Sequence, residues 1–236
     1  MNISRHTAFT WLAACCALGV AACADSDPAP SPPSLATRFE VTITNLTAGQ
    51  PLSPPALIPH GNGYQIFETG QPASLGLETL AEGGDGSLLI NEAQANPAVP
   101  ATTSGTAPIG PGASQTLMLE QPVTSSPGAA MLSAATMLVN TNDAFAAGLL
   151  DLASLAVGEE RSARLGSYDA GTEANDELAA HIPRPAGGGA GFAAARDDLI
   201  DAVLPPRGSI SRNDGLATSA LTSVHRWLDP VVSIQV

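Results

Sequence analysis

The chain has 236 residues, enough for one large domain or two small ones, and it carries 22 acidic side chains against 9 basic ones for a net charge of -13. All nine basic residues are Arg, so a P-loop lysine, an S-x-x-K acylation pair and a pyridoxal Schiff base are excluded together. A pI near 4.4 also argues against a nucleic-acid partner, because phosphate affinity depends on Lys and Arg displacing counterions.

The first 22 residues read as a leader. Arg5 and His6 form a short basic n-region, and an apolar stretch follows from Ala8 to Ala22. That stretch is shorter than the roughly 20 apolar residues of a membrane span but suits a signal h-region. It ends Val20-Ala21-Ala22-Cys23, which looks like a bacterial lipobox, with small residues for the peptidase and then a Cys whose sulfur takes a diacylglycerol. Leu12-Ala13-Ala14-Cys15 fits the same pattern, but cleavage there would leave too short an h-region. The plainer alternative is a secretory signal with Cys23 incidental. Processing at Cys23 discards Cys15 and Cys16 and puts the third thiol into a thioether, so the mature protein would have no disulfide and no nucleophilic thiol. Loss of Arg5 with the leader takes the net charge from -13 to -14. Residues 23–36, Cys23 followed by ADSDPAPSPPSLA, offer almost nothing to bury and read as a tether.

Residues 37–236 read as one domain. Arg38 to Asn45 alternates, with Phe39, Val41 and Ile43 on one face, and predicts a half-buried strand. Tyr64–Glu68, Ser87–Ile90, Gln115–Glu120, Met131–Asn140 and Val231–Val236 are further predicted strands, separated by Gly, Pro, Asn and Asp clusters. Helical spacing is confined to Pro72–Glu82 and Phe192–Leu204, the second with an apolar stripe of Leu199, Ile200, Val203 and Leu204 ending at Pro205. Residues 96–114 and 187–191 are rich in Pro, Gly, Ala, Thr and Ser and read as surface loops. Short strands with such punctuation indicate an antiparallel sandwich or barrel.

Two segments carry motifs. The first runs from Pro59-His60 through Tyr64-Gln65-Ile66-Phe67-Glu68 and Ala73-Ser74-Leu75-Gly76 to Ala81-Glu82-Gly83-Gly84. The second runs from the apolar Ala135–Val139 through Asp143-Ala144-Phe145-Ala146-Ala147-Gly148 to Asp169-Ala170-Gly171-Thr172-Glu173. In this order they resemble the spondin domain of extracellular matrix proteins such as F-spondin and mindin, with its aromatic strand, Ala-Ser-x-Gly and Ala-Glu-x-Gly turns, Asp-aromatic loop and Asp-Ala-Gly-Thr-acidic loop. Arg226-Trp227-Leu228-Asp229-Pro230-Val231 is similar to bacterial single-domain members. The chain departs from the animal pattern in its missing cysteines and in placing Phe145 two residues after Asp143, where an adjacent Trp is common. The resemblance implies an all-β, C2-like antiparallel β-sandwich with one or two short helices and long loops.

It also implies one metal site, with Ca²⁺ the usual occupant, whose carboxylates map onto Asp143 and Asp169, with the Leu165 backbone carbonyl completing it. The residues themselves suit that reading: hard oxygen donors on two loops favour Ca²⁺, Gly171 allows a tight turn, and Glu173 and Asp176 can add charge. The bland alternative makes Asp143 an Asx-turn residue and Asp169 the cap of the following loop. Other candidates are poor. Ser74 lies outside any G-x-S-x-G and reads as a helix or turn residue, His60, His181 and His225 lack zinc spacing and read as loop or surface residues, and Asn213-Asp214-Gly215 reads as a turn. Glu78 and Glu82, four apart, read as a solvated helical pair.

The expectation is a non-enzymatic, lipid-anchored protein of the cell envelope, on the outer membrane, its periplasmic face or the cell surface. Its spondin-like domain would bind or adhere to a protein or glycan ligand. Two alternatives are a hydrolase of envelope glycans using paired carboxylates, which needs two acids about 5 to 10 Å apart in a cleft, and a passive structural lipoprotein. Two acyl chains suffice for stable anchoring. Detergent phase partitioning and metabolic acyl labelling are therefore expected to depend on Cys23, and a Cys23→Ser protein that still partitions with membrane refutes the anchor.

Overall fold

The computed structural model of the chain describes residues 36–122, 130–195 and 200–236. The leader, Cys23 and the tether to residue 35 lie outside the described residues, as do 196–199 of the second predicted helix. The strands are β1 (Ala36–Asn45), β2 (Ala56–His60), β3 (Thr103–Ser104), β4 (Ser114–Pro122), β5 (Met131–Met137), β6 (Ala144–Asp151), β7 (Ser162–Asp169) and β8 (Val232–Gln235). Two helices, α1 (Leu75–Gly83) and α2 (Ser87–Gln94), sit between β2 and β3. The sheet order is β3-β2-β5-β6-β7-β8-β1-β4, with every pairing antiparallel. The fold is thus all-β with few helices, as the strand pattern predicts.

One strand divides the sheet into two layers. The second half of β7 pairs with β6, Asp169 opposite Ala144 and Gly166 opposite Ala147. Its first half pairs with β8, Ser162 opposite Gln235 and Leu165 opposite Val232. Between the layers lies a core to which Val41, Ile43, Leu119, Val232 and Ile234 contribute from one side and Leu57, Leu132, Ala134, Ala146 and Leu150 from the other.

The central strands are buried on both faces. Ile58, Ala135, Phe145 and Ala147 point away from the first core and pack with Leu77, Leu80 and Ala81 of α1, Leu89 and Ala93 of α2, and Val203. Ser74 starts α1 by accepting the Leu77 N–H at 3.2 Å. Gly84 ends it with φ of 73°, donating its N–H to the Leu80 carbonyl at 2.9 Å. The largest buried side chain here is Phe145, at 5.3 Å from the Phe67 ring and 5.6 Å from Tyr168.

Several predicted elements need correction. Ser87–Ile90 opens a helix, because Leu89 and Ala93 at i and i+4 meet the sheet while a short apolar run alone fits either period. Tyr64–Glu68 is a loop, since β3 and β5 already occupy both edges of β2, and Ile66 and Phe67 pack as coil against the second core. The described parts of 192–204 are not helical. There Leu204 exchanges backbone hydrogen bonds with Asp169 at 2.9 and 3.0 Å. The segment read as an Asp-aromatic loop is strand β6 from Ala144 onward. Among the described residues no helix is long and apolar enough to cross a membrane.

Phe145→Ala removes the ring on which the helical layer rests and is expected to cost about 3–5 kcal/mol in urea unfolding. Leu149→Ala, on the same strand but half exposed, is expected to stay within about 0.5 kcal/mol of the parent.

Candidate functional site

The register of β6 with β7 decides the site. Asp143 immediately precedes β6, Asp169 ends β7, and Ala144 stands opposite Asp169, so the two acids become neighbours at one end of the sandwich. The chain then turns at Gly171, which has φ of 70° and an Ala202 carbonyl 2.2 Å from where a Cβ would stand, so that only glycine fits. This turn lays residues 170–177 over the acids. The Ala170 N–H donates to the Asp143 carbonyl at 3.2 Å. The Thr172 and Glu173 N–H groups donate to Asp143 Oδ2 at 2.8 and 3.1 Å.

Asp143 is completely buried, and its Oδ1 has no hydrogen-bond partner among the described residues. The same holds for Glu173 Oε2 and Asn142 Oδ1. Glu82, at the end of α1 and 1% exposed, accepts the Ala193 N–H at 2.7 Å. Its charge acts on both Asp143 and Glu173. Burial, and then the Asp169 charge, push the Asp143 carboxyl up to about 7 against the pull of the Thr172 and Glu173 N–H groups. Burial, and then the charges of Glu82 and Asp143, push Glu173 up to about 8. Such a cluster holds protons at neutral pH or holds a cation.

Asp169 is engaged differently. Its Oδ1 accepts the Gly171 N–H at 2.9 Å, an Asx turn, and its Oδ2 accepts from Asn175 Nδ2 at 2.7 Å. It borders a cavity of about 10 Å³ with Glu177, Arg207 and Trp227, room for one water. Asp176 lies outside the cluster's interior, accepting from Asn142 at 3.4 Å and pairing with His181 at 2.6 Å.

Leu165 does not belong to the site. Its carbonyl accepts the Val231 N–H at 3.1 Å. Four residues of strand also separate it from Asp169 by roughly 13 Å, beyond the reach of a shared ion. Glu78 and Glu82 are buried rather than solvated, at 2% and 1% exposure. His60 is likewise no surface residue. It bonds the Ser133 hydroxyl at 2.8 Å and the Gly61 carbonyl at 2.9 Å across the second core. Glu82 and Asn142 are the site residues that spacing does not reveal. Glu82 sits in the Ala81-Glu82-Gly83-Gly84 motif, which was its only signal, and Asn142 had none beyond adjacency to Asp143.

The donor set is all oxygen, from carboxylates and one amide, which suits a hard cation such as Ca²⁺ rather than zinc. Among the described residues no three His, Cys, Asp or Glu side chains already converge as a metal cage. The fit therefore rests on the unsatisfied oxygens of Asn142, Asp143 and Glu173. Compared with known proteins, the chain matches no family model and no curated protein.

The two raised carboxyls fix a sign for the pH dependence. Between their ordinary values of 3.8 and 4.5 and the folded values of about 7 and 8, the folded state keeps protons that the unfolded chain has released. Their contribution to stability is therefore full below about pH 4 and is lost as pH rises through 7 to 8. In chelator, the melting temperature of the parent is expected to fall across this window, and Asp143→Asn with Glu173→Gln to flatten the slope; an unchanged slope in the variant rejects the assignment.

Proposed function

We propose that the chain is a lipid-anchored cell-envelope protein whose β-sandwich is a spondin-like binding or adhesion domain, stiffened at one end by a bound Ca²⁺. The observation supporting the ion is the set of buried, unsatisfied oxygens on Asn142, Asp143 and Glu173, since buried acceptors without partners are costly unless something fills the role. Asp143 Oδ1, Glu173 Oε2 and Asn142 Oδ1 would hold the cation, with Asp169 and Glu82 adding negative potential. The bound ion supplies charge neutralisation and a cross-link between the residues before β6 and the loop after β7. With few carboxylates, affinity is expected on the order of 10⁻⁴ to 10⁻³ M, the range of extracellular modules.

Binding is favoured over glycan hydrolysis because the acids are enclosed by their own loop and the cavity at Asp169 is only about 10 Å³. A glycosidase pair needs an open cleft for the sugar. Near the same end, Leu46, Trp227 and Leu228 line a groove of about 500 Å³, with Leu228 90% exposed. A protein ligand at the cell surface suits an exposed apolar patch of this kind. The spondin assignment rests on the ordered motifs from Pro59 to Glu173.

Calcium at about ten times its dissociation constant is expected to stabilise the domain by about 1.4 kcal/mol and raise its melting temperature by roughly 3–6 °C. Chelator should reverse the rise, and Asp143→Asn, Glu173→Gln and Asp169→Ala should each abolish the difference. Identical melts with and without calcium reject the site.

A further inference from the structure

The turn between β6 and β7 carries the most exposed apolar tip of the described residues, at the end of the domain opposite the carboxylates. Its tip, Leu155-Ala156-Val157, bears no charge, and Val157 is fully exposed. The tip is held in shape from below. The Glu159 N–H donates to the Ala156 carbonyl at 3.0 Å, and the Ala156 N–H to Glu159 Oε2 at 3.0 Å. Arg161 Nη1 donates to the Asp151 and Ala153 carbonyls, both at 2.9 Å. An apolar side chain fixed in full exposure has no folding role at that position.

The neighbours of this tip indicate what it meets. It shares a groove of about 400 Å³ with Thr37, Arg38, Phe39 and Glu40, the first residues of β1. The chain enters the domain at Ala36, and Cys23 lies 13 residues earlier. Those residues span at most about 45 Å, so the part of the domain beside Ala36 is the part that an anchor at Cys23 keeps nearest the lipid. The far end of β1, about 30 Å away, leads into Leu46 and the carboxylate end. Arg38 pairs with Glu120 at 2.8 Å and Arg161 with Asp151 at 3.6 Å, and Glu40, Glu159 and Glu160 also line the groove, so what this end offers a bilayer is the apolar tip and not attraction to headgroup charge.

We propose that the Leu155-Ala156-Val157 tip is a second membrane contact, inserting at the interface of the phospholipid bilayer that carries the anchor. It rests on the lipid-anchor reading above. A tethered tip acts at high effective concentration, so a small apolar contact is enough to orient the domain. The consequence is that the carboxylate end and the Leu228 patch face away from the bilayer.

The test uses the full, acylated chain with Val157→Cys or Leu228→Cys, each carrying an environment-sensitive fluorophore on the new thiol. Each is reconstituted into phosphatidylethanolamine–phosphatidylglycerol vesicles with and without nitroxide-labelled lipid. Thermal melts confirm that both variants fold. The expected result is flotation of both proteins, with the label at 157 blue-shifted and quenched by nitroxide lipid several-fold more strongly than the label at 228. Flotation with 157 unquenched, or quenched no more than 228, overturns the tip contact while leaving the anchor intact. Failure of both proteins to float removes the anchor and the proposal together.

Discussion

The divided pairing of β7 is the constraint on which the molecule turns. An antiparallel ladder normally keeps one partner on each side along its length, but β7 spends its first four residues on β8 and its last four on β6. Where the partner changes, the backbone needs another acceptor, and Asp229 supplies it: Oδ1 accepts the Ser167 N–H at 2.9 Å and the Ser167 hydroxyl at 2.7 Å. The Trp227 indole N–H then donates to the same hydroxyl at 2.9 Å. Opposite this crossing β6 carries Gly148, where a Cβ would come 2.6 Å from Leu165 Cδ2. The two layers can separate around a filled core only because a side-chain carboxylate stands in for a strand.

That geometry places charge where the core closes. Asp169 ends the half of β7 that faces β6, and Asp143 precedes β6, so the final rung of the ladder joins two carboxylates in a buried setting. Hydrogen bonding resolves half of the conflict, since Asp143 Oδ2 and both oxygens of Asp169 are satisfied by the following loop. The remaining oxygens of Asp143 and Glu173 are not. Burial and mutual repulsion raise both groups toward neutral pH, so the loop order of this end depends on what compensates the charge. Of the plainer reading, Asp169 does cap the following loop, through an Asx turn to Gly171, whereas Asp143 makes no Asx turn of its own: the loop that Asp169 caps brings the Thr172 and Glu173 N–H groups onto its Oδ2.

How much of this was legible follows burial. β1 and β4 each have one solvent face, so Val41 and Ile43 alternate with Thr42 and Thr44 and the strand is visible in the sequence. β2 and the first half of β6 are buried on both faces, so Ala-Leu-Ile-Pro-His and Ala-Phe-Ala-Ala show no alternation to detect. β7 was hidden for another reason: two of its inward positions are Ser167 and Asp169, which serve the crossing and the site rather than the core. Asp143, Asp169 and Glu173 were legible through motif order. Glu82 was not, because a Glu pair at i and i+4 looks solvated until the loop at Ala193 is known to cover it. Leu165 failed as a ligand because its position in a strand, four residues before Asp169, is a matter of register that spacing does not encode.

The two ends of the sandwich are chemically unlike, and the chain's composition makes that difference consequential. With no lysine and an acidic surplus, the protein has few cations to spend on neutralising a buried carboxylate cluster, and Arg207 comes no closer than 4.0 Å to Asp169. A protein richer in lysine could have closed this end with an ion pair; this one leaves it to protons or to a soluble cation. At the opposite end the chain enters β1 beside an uncharged tip, and the nearby acids Glu159 and Glu160 are exposed to solvent rather than buried. Among the described residues, the buried, unsatisfied carboxylate oxygens are thus confined to one end of the sandwich, where the Asp143 and Glu173 carboxyls are raised toward neutral pH.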